Sequence, residues 1–449
     1  MLTLDGLASG MDTKTVIAQL MALEQRPVQL YQQRKTDLET FRTAWKDVNT
    51  RMLTLLSRVE ALDQAQDFAV VKATSSDKDA LTVAAETDAP AGTYRVSVAR
   101  LASAQVATSA GQAGDWTAAV AGDFYLNGTK ITVAAGDGLA DIRDKINGQS
   151  ATIGVTASVI QSGANQFKLV LTSSKTGVGA GITSVQDDAG VASAFGLISG
   201  GALNEVQAGD NAELTINGVT VTSASNTVDA AIPGVKMTLI KPATDINISV
   251  ATDVDAIVGS IKALVDQYNS TTAFIQDKQT YDKEKKSAGT LLGDQTATGI
   301  LRDLRYRMTD RISSVGADDY HYLADIGITS GKYGTADFGR LTVDETKLRE
   351  ALQNKPEQVI ALFTSSDGVA TKLKDYVEGY TKSLTGVLPK KDKELERQLK
   401  DMETRLTAMT DRLATREEYY KARFVALETA LSKLRDQQSW LTSQIASLE

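Results

Sequence analysis

The side chains that most often carry chemistry are nearly missing from this sequence. Its 449 residues include one histidine, His321, and no cysteine. Thiolate nucleophiles, disulfides and cysteine-based metal sites are therefore excluded. A lone imidazole leaves zinc chemistry and Ser-His-Asp catalysis without their usual ligand or base. His321 lies between Tyr320 and Tyr322 and reads as a loop residue rather than a general base. Gly177, Gly179 and Gly181 form a short glycine cluster. No helix start and no downstream acid follow it, as a dinucleotide site would require, so the cluster reads as a turn. No phosphate loop ending in Gly-Lys-Ser or Gly-Lys-Thr occurs. Asp187-Asp188 and Asp318-Asp319 are paired carboxylates, but a calcium loop needs more oxygen ligands at set spacings, so both read as solvated loop acids. The expectation is a protein that is not an enzyme and holds no cofactor and no metal.

Bulk properties narrow the partners. The formal net charge is −8, so the phosphate backbone of nucleic acid would repel the chain. No window approaches the roughly 18 consecutive apolar residues of a membrane span. The opening residues MLTLDGLASGMD carry neither a basic n-region nor a long apolar h-region, so no cleaved secretory signal is expected. Hydrophobic residues make up 42%, enough for real cores, and the length suggests about two to four domains.

What remains is pattern. Asp12 is placed to cap a helix whose apolar residues are Val16, Leu20, Leu23, Pro27 and Leu30. Pro27 is expected to kink that helix or start a new one. The pattern resumes at Leu38, Phe41, Trp45, Val48, Met52, Leu55, Val59 and Leu62. Alternating steps of three and four are the seam of a coiled coil. A second seam runs through Leu395, Leu399, Met402, Leu406, Met409, Leu413, Arg416 and Tyr420. After a stutter it continues through Phe424, Leu427, Leu431, Leu434, Gln438, Leu441, Ile445 and Leu448. Two seams at opposite ends can pair with each other as an antiparallel hairpin, with other copies, or with another protein's helices. Between about Val70 and Asp253 the period changes to two, as in Thr93–Val98 and Lys168–Thr172. Asn127-Gly128, Asn147-Gly148 and Asn217-Gly218 are hairpin signals. The stretch Phe124–Thr132 resembles Leu214–Thr222, which suggests two copies of one hairpin module. From Val254 to about Gly386 helical patterning returns, interrupted by a turn or hairpin between Gly327 and Gly339.

Several of these stretches resemble one family. Gly6-Leu7-Ala8-Ser9-Gly10-Met11-Asp12, followed by Leu20, Leu23, Glu24 and Pro27, resembles the start of flagellar hook-associated protein 2, the filament cap family. The Asn-Gly hairpins look like the motif shared by hook and cap proteins. Gly289–Asp294, Leu323–Gly331, Gly339–Asp344, Pro356 and Leu362-Phe363 resemble the family's C-terminal signature, with an insert containing Asp337-Phe338 before Gly339. The resemblance implies an α+β multidomain fold. Long terminal coiled-coil helices would form a leg (1–40 and 388–449), and 41–69 with 254–387 a helical upper-leg domain. The β-rich head would comprise one domain from 70–106 and 206–253, with a second, 107–205, inserted in it. It also implies a homo-oligomer, commonly a pentamer, on the flagellum tip. The expected partners are flagellin, the junction hook-associated proteins and a cytoplasmic export chaperone, with export by the flagellar type III route and no membrane insertion. Leu20, Leu23, Leu30, Leu399, Leu406, Leu413, Leu427, Leu434 and Leu441 are the expected self-assembly and flagellin-contacting seam. A rival reading, adhesion of the head to host glycans, would need an aromatic or acidic pocket in the head, whose six aromatics are Tyr94, Trp116, Phe124, Tyr125, Phe167 and Phe195.

Overall fold

The computed structural model describes residues 12–284, 286–332, 334–335 and 337–446. Gly6–Met11 and Leu448 lie outside the described residues. The chain divides into two compact units, one from the described parts of Met1–Phe68 and Ile257–Glu449, the other from Ala69–Ala256.

The first unit is mainly helical. The Asp12 side chain accepts the Thr15 amide at 3.0 Å, satisfying an orphan donor at the start of the helix Thr13–Glu60. That N-terminal helix runs 48 residues and passes through Pro27 without a break, so no new helix starts there. The proline removes the N–H that would bond the Leu23 carbonyl, a loss water can offset because this side is exposed. The C-terminal helix, Val387–Ala446, has 60 residues and would extend about 90 Å at 1.5 Å per residue. The second half of the N-terminal helix buries Trp45, Val48, Met52, Leu55 and Val59 at spacings of three and four. It packs against Val369–Thr381 and Val387–Ala446. The helix Val254–Gln279 also reaches it, through Arg51, which hydrogen-bonds Ser270 at 2.8 Å and covers the Phe274 ring at 4.3 Å. After Gly327 the chain builds a hairpin, Ile328–Ser330 against Leu341–Val343, whose second strand lies past Gly339. The Asn269 amide fastens this hairpin by exchanging two 2.8 Å hydrogen bonds with the Leu341 backbone.

The second unit holds two hydrophobic cores. One lies between a five-stranded antiparallel sheet (Val71–Ser75, Ala243–Thr252, Gly92–Arg100, Ala212–Ile216, Val219–Ser223) and a three-stranded one (Thr227–Ile232, Val235–Leu239, Leu81–Ala85). The other gathers Phe124, Ile131, Ile142, Leu169, Leu171 and Phe195. The two repeated hairpins are one in each: Gly122–Leu126 with Thr129–Val133, and Ala212–Ile216 with Val219–Ser223. Their turns place Asn127, Gly128, Asn217 and Gly218 at φ of +49°, +75°, +48° and +86°. Positive φ at both central residues matches the right-handed twist of the strands, which is why Asn-Gly recurs there. Asn147-Gly148 differs. Asn147 ends a helix, Leu139–Asn147, and Gly148 sits at φ −60°. Leu139, Ile142 and Ile146 bury one face of that helix, so helical spacing outweighs the turn dipeptide. The glycine-rich stretch after Thr172 gains its order from Val191, Phe195 and Leu197, all buried.

Candidate assembly interface

The two terminal helices pair with each other, and four cross-helix contacts fix how. Glu24 meets the Tyr420 hydroxyl at 3.4 Å and Tyr31 the Arg405 guanidinium at 3.1 Å. Lys35 meets Glu403 at 2.8 Å, and Arg42 grips Asp392 at 2.7 and 3.2 Å. Residue numbers rise on one helix as they fall on the other, so the pair is an antiparallel hairpin. The guanidinium of Arg42 holds the Asp392 carboxyl below the usual carboxylate range, against the opposing effect of burial. Next to this grip, Lys391 reaches the Asp294 carboxylate at 2.8 Å and lies 4.0 Å from the Trp45 ring.

The inner face of the hairpin differs from the apolar stripe legible in the sequence. On the N-terminal helix the buried positions are Met21 and Val28, with Ile17, Leu20, Glu24 and Tyr31 half-buried. Val16, Leu23 and Leu30 are exposed, the last two at 57% and 64%. On the C-terminal helix Leu399 is buried, and Leu406 and Leu413 are half-buried on the same side. Past the stutter the inward path runs Phe424, Glu428, Leu431, and leaves Leu427 exposed. Leu434 and Leu441 are exposed at 60% and 54%, as are Trp440 and Ile445. Two apolar stripes thus run along the N-terminal helix about a quarter-turn apart. The outer one is the more regular and draws the eye. The inner one is recognisable only by pairing its polar members, Glu24 and Tyr31, with Tyr420 and Arg405 on the other helix.

Elsewhere the chemistry stays sparse. His321 is half-buried in a loop, its Nδ1 2.9 Å from the Ile312 carbonyl. The carboxylate of Asp187 accepts the Ala192 and Ser193 amides and the Ser193 hydroxyl, and that of Asp319 accepts the Gly316 amide. These acids order their own loops. No cluster of metal-ligating side chains occurs among the described residues. Gly177 and Gly179 take positive φ in the turn after Gln166–Thr176. A shallow depression of about 650 Å³ on the strand unit is lined by Thr93, Arg95, Ser97, Thr215, Asn217 and Asn247, without a carboxylate or imidazole. Trp116 stands edge-on to the buried Phe195 at 5.8 Å, packed against the core. Among the described residues no helix is long and apolar enough to cross a membrane.

Comparison with known proteins bears on the same elements. Residues 209–436 match the flagellar hook-associated protein 2 C-terminus, 9–105 the N-terminus of the same family, and 119–175 the flagellin hook IN motif. The chain is 28% identical to the A-type flagellar hook-associated protein 2 of Pseudomonas aeruginosa, over 99% of this chain and 98% of that one. It is 31% identical to a B-type counterpart from the same species, over 86% and 85%. A crystal structure of the flagellar cap protein FliD D1-D2-D3 domains from Escherichia coli superposes with a TM-score of 0.60 at 28% identity, covering 79% of this chain and 99% of that one. With a C-terminal family model spanning half the sequence and relatives aligned almost end to end, the chain belongs to the flagellar hook-associated protein 2 family.

Proposed function

We propose that this protein is a flagellar filament cap, a non-enzymatic tip complex that guides flagellin into place and prevents loss of exported monomer. The observation that carries the reading is the terminal hairpin. Its inner face is satisfied within the chain, yet Leu23, Leu30, Leu427, Leu434 and Leu441 remain exposed, a helical surface available to other helices. In this reading several copies, commonly five, form a ring through the strand-built head, with one domain from 70–106 and 206–253 and a second from 107–205, a division that two separate cores support. A closed ring on an open helical filament cannot match it at every position, and the mismatch leaves a gap for the next subunit. Flagellin and the junction hook-associated proteins contact the leg. A cytoplasmic chaperone holds the leg before type III export to the tip. Binding and shape do the work, and no bond is made or broken.

Deleting the gene and assaying flagellin in filaments and in culture supernatant tests this. Short or absent filaments with abundant soluble flagellin outside the cell are expected. Normal filaments would overturn the cap reading.

A further inference from the structure

We propose that the outer stripe of the N-terminal helix is a docking seam for one amphipathic helix of another protein, a helix whose own apolar seam is flanked by carboxylates. The inference rests on the reading of the terminal helices as partner-binding elements, and it names the chemistry of the partner. Val16, Leu20, Leu23, Pro27 and Leu30 follow steps of four and three. Val16, Leu23 and Leu30 are exposed at 36%, 57% and 64%. Such a line has one residue per turn, which fits a partner helix and is too narrow for the broad apolar face of a helix lying on a bilayer.

Charge selects the partner. Arg26 lies three residues past Leu23 and borders the stripe, and Arg34, four past Leu30, continues its line at the C-terminal end. Both are exposed, and neither has a side-chain partner among the described residues. Between Val16 and Arg34 the helix has one carboxylate, Glu24, and it is turned inward to Tyr420. The stripe ends at Asp37, whose carboxylate accepts the Gln33 amide at 2.9 Å. Across the hairpin, Glu403–Glu428 carries five carboxylates (Glu403, Asp411, Glu417, Glu418 and the buried Glu428) and five cations, so it adds no net acidic field. A second copy laid parallel and stripe to stripe would bring arginine against arginine, which disfavours that self-pairing.

The test uses the full chain and two synthetic amphipathic peptides with the same leucine seam, one flanked by glutamates and one by lysines, with binding read by fluorescence anisotropy at low and high salt. The glutamate peptide should bind at least about tenfold tighter than the lysine peptide, the gap closing in high salt. Arg26→Glu/Arg34→Glu should reverse the preference, and Leu23→Gln/Leu30→Gln should abolish binding of both. All four positions are exposed, and unchanged helicity and melting temperature would show that the variants fold. Equal binding of both peptides, or none, overturns the proposal. So does capture by anionic phosphatidylserine vesicles that depends on the same residues while the peptides fail, or self-association lost in Leu23→Gln/Leu30→Gln. The filament assay is independent of these outcomes, so failure here leaves the cap reading standing.

Discussion

Lys391, at the start of the C-terminal helix, places its ammonium 2.8 Å from the Asp294 carboxylate and over the Trp45 ring at 4.0 Å. Three separate stretches of chain meet at this one cation. Asp294 also caps the helix Gln295–Thr309 by accepting the Thr296 and Ala297 amides, so one carboxylate starts a helix and anchors the root of the terminal hairpin. Burial raises the Asp294 pKa, but the Lys391 ammonium and the capped amides outweigh it and leave the carboxyl below its ordinary range.

Lys391→Met should therefore cost about 2 kcal/mol, because it strands a largely buried carboxylate and removes a cation–π contact. Asp294→Asn keeps a good capping side chain and should cost about half as much. Urea unfolding of both variants measures the difference. A Lys391→Met protein as stable as the parent would show that the contact adds nothing.

A second carboxylate makes stability depend on pH. Burial pushes Asp367 up, but the Ser314 hydroxyl, the Ser313 and Ser314 amides and Lys372 hold it at about 2. An unfolded aspartate titrates near 4. Its folded value is depressed, so its contribution is full above about pH 4 and is lost as pH falls from there toward 2. Asp367→Asn should flatten that part of the acid-unfolding curve and lower neutral-pH stability by about 1 kcal/mol after solvent screening. A parent and variant with superimposable acid transitions would contradict this.

The two Asn-Gly hairpins were legible from their residues because the turn is local: Asn217-Gly218 joins two period-two strands, and a two-residue turn between such strands takes positive φ at both positions. The buried run from Trp45 to Val59 was legible for the same kind of reason, since its spacing is periodic. Asn147-Gly148 misled because its helix is fixed by burial of Ile142 and Ile146 in a core assembled from distant strands. The inner face of the hairpin was hidden because Glu24 and Tyr31 become seam residues only when Tyr420 and Arg405 arrive opposite them. Lys391–Asp294 joins residues far apart in sequence, and nothing near either one announces the other.

Glycine substitutions separate backbone strain from crowding. At Gly218 an added methyl meets nothing within 4 Å, but φ is +86°. Gly218→Ala should cost about 1 kcal/mol, the backbone penalty alone. At Gly177, with φ +101°, the methyl would lie 2.7 Å from the Ala224 Cβ and 2.8 Å from its backbone. Gly177→Ala adds overpacking to strain and should cost about 2–4 kcal/mol. Thermal melts that rank the two the other way would refute the crowding argument.

The last prediction separates stability from assembly within one helix. Leu399 is buried against the rest of its own unit, whereas Leu434 is 60% exposed. An aspartate at Leu399 would put a charge at a buried apolar position and should destabilise the protein by about 2 kcal/mol, Arg42 and Lys46 on the same depression offsetting part of the cost. An aspartate at Leu434 meets water and should change stability by no more than about 0.5 kcal/mol. If exposed leucines of the hairpin engage flagellin, Leu434→Asp should still impair filament growth and release flagellin into the medium, with the protein folded and exported. Leu399→Asp should fail earlier, through low levels of folded protein. Normal swimming by cells carrying Leu434→Asp, alongside an intact melting profile, would remove the exposed C-terminal stripe from the assembly surface and leave the contact to Val16, Leu23 and Leu30.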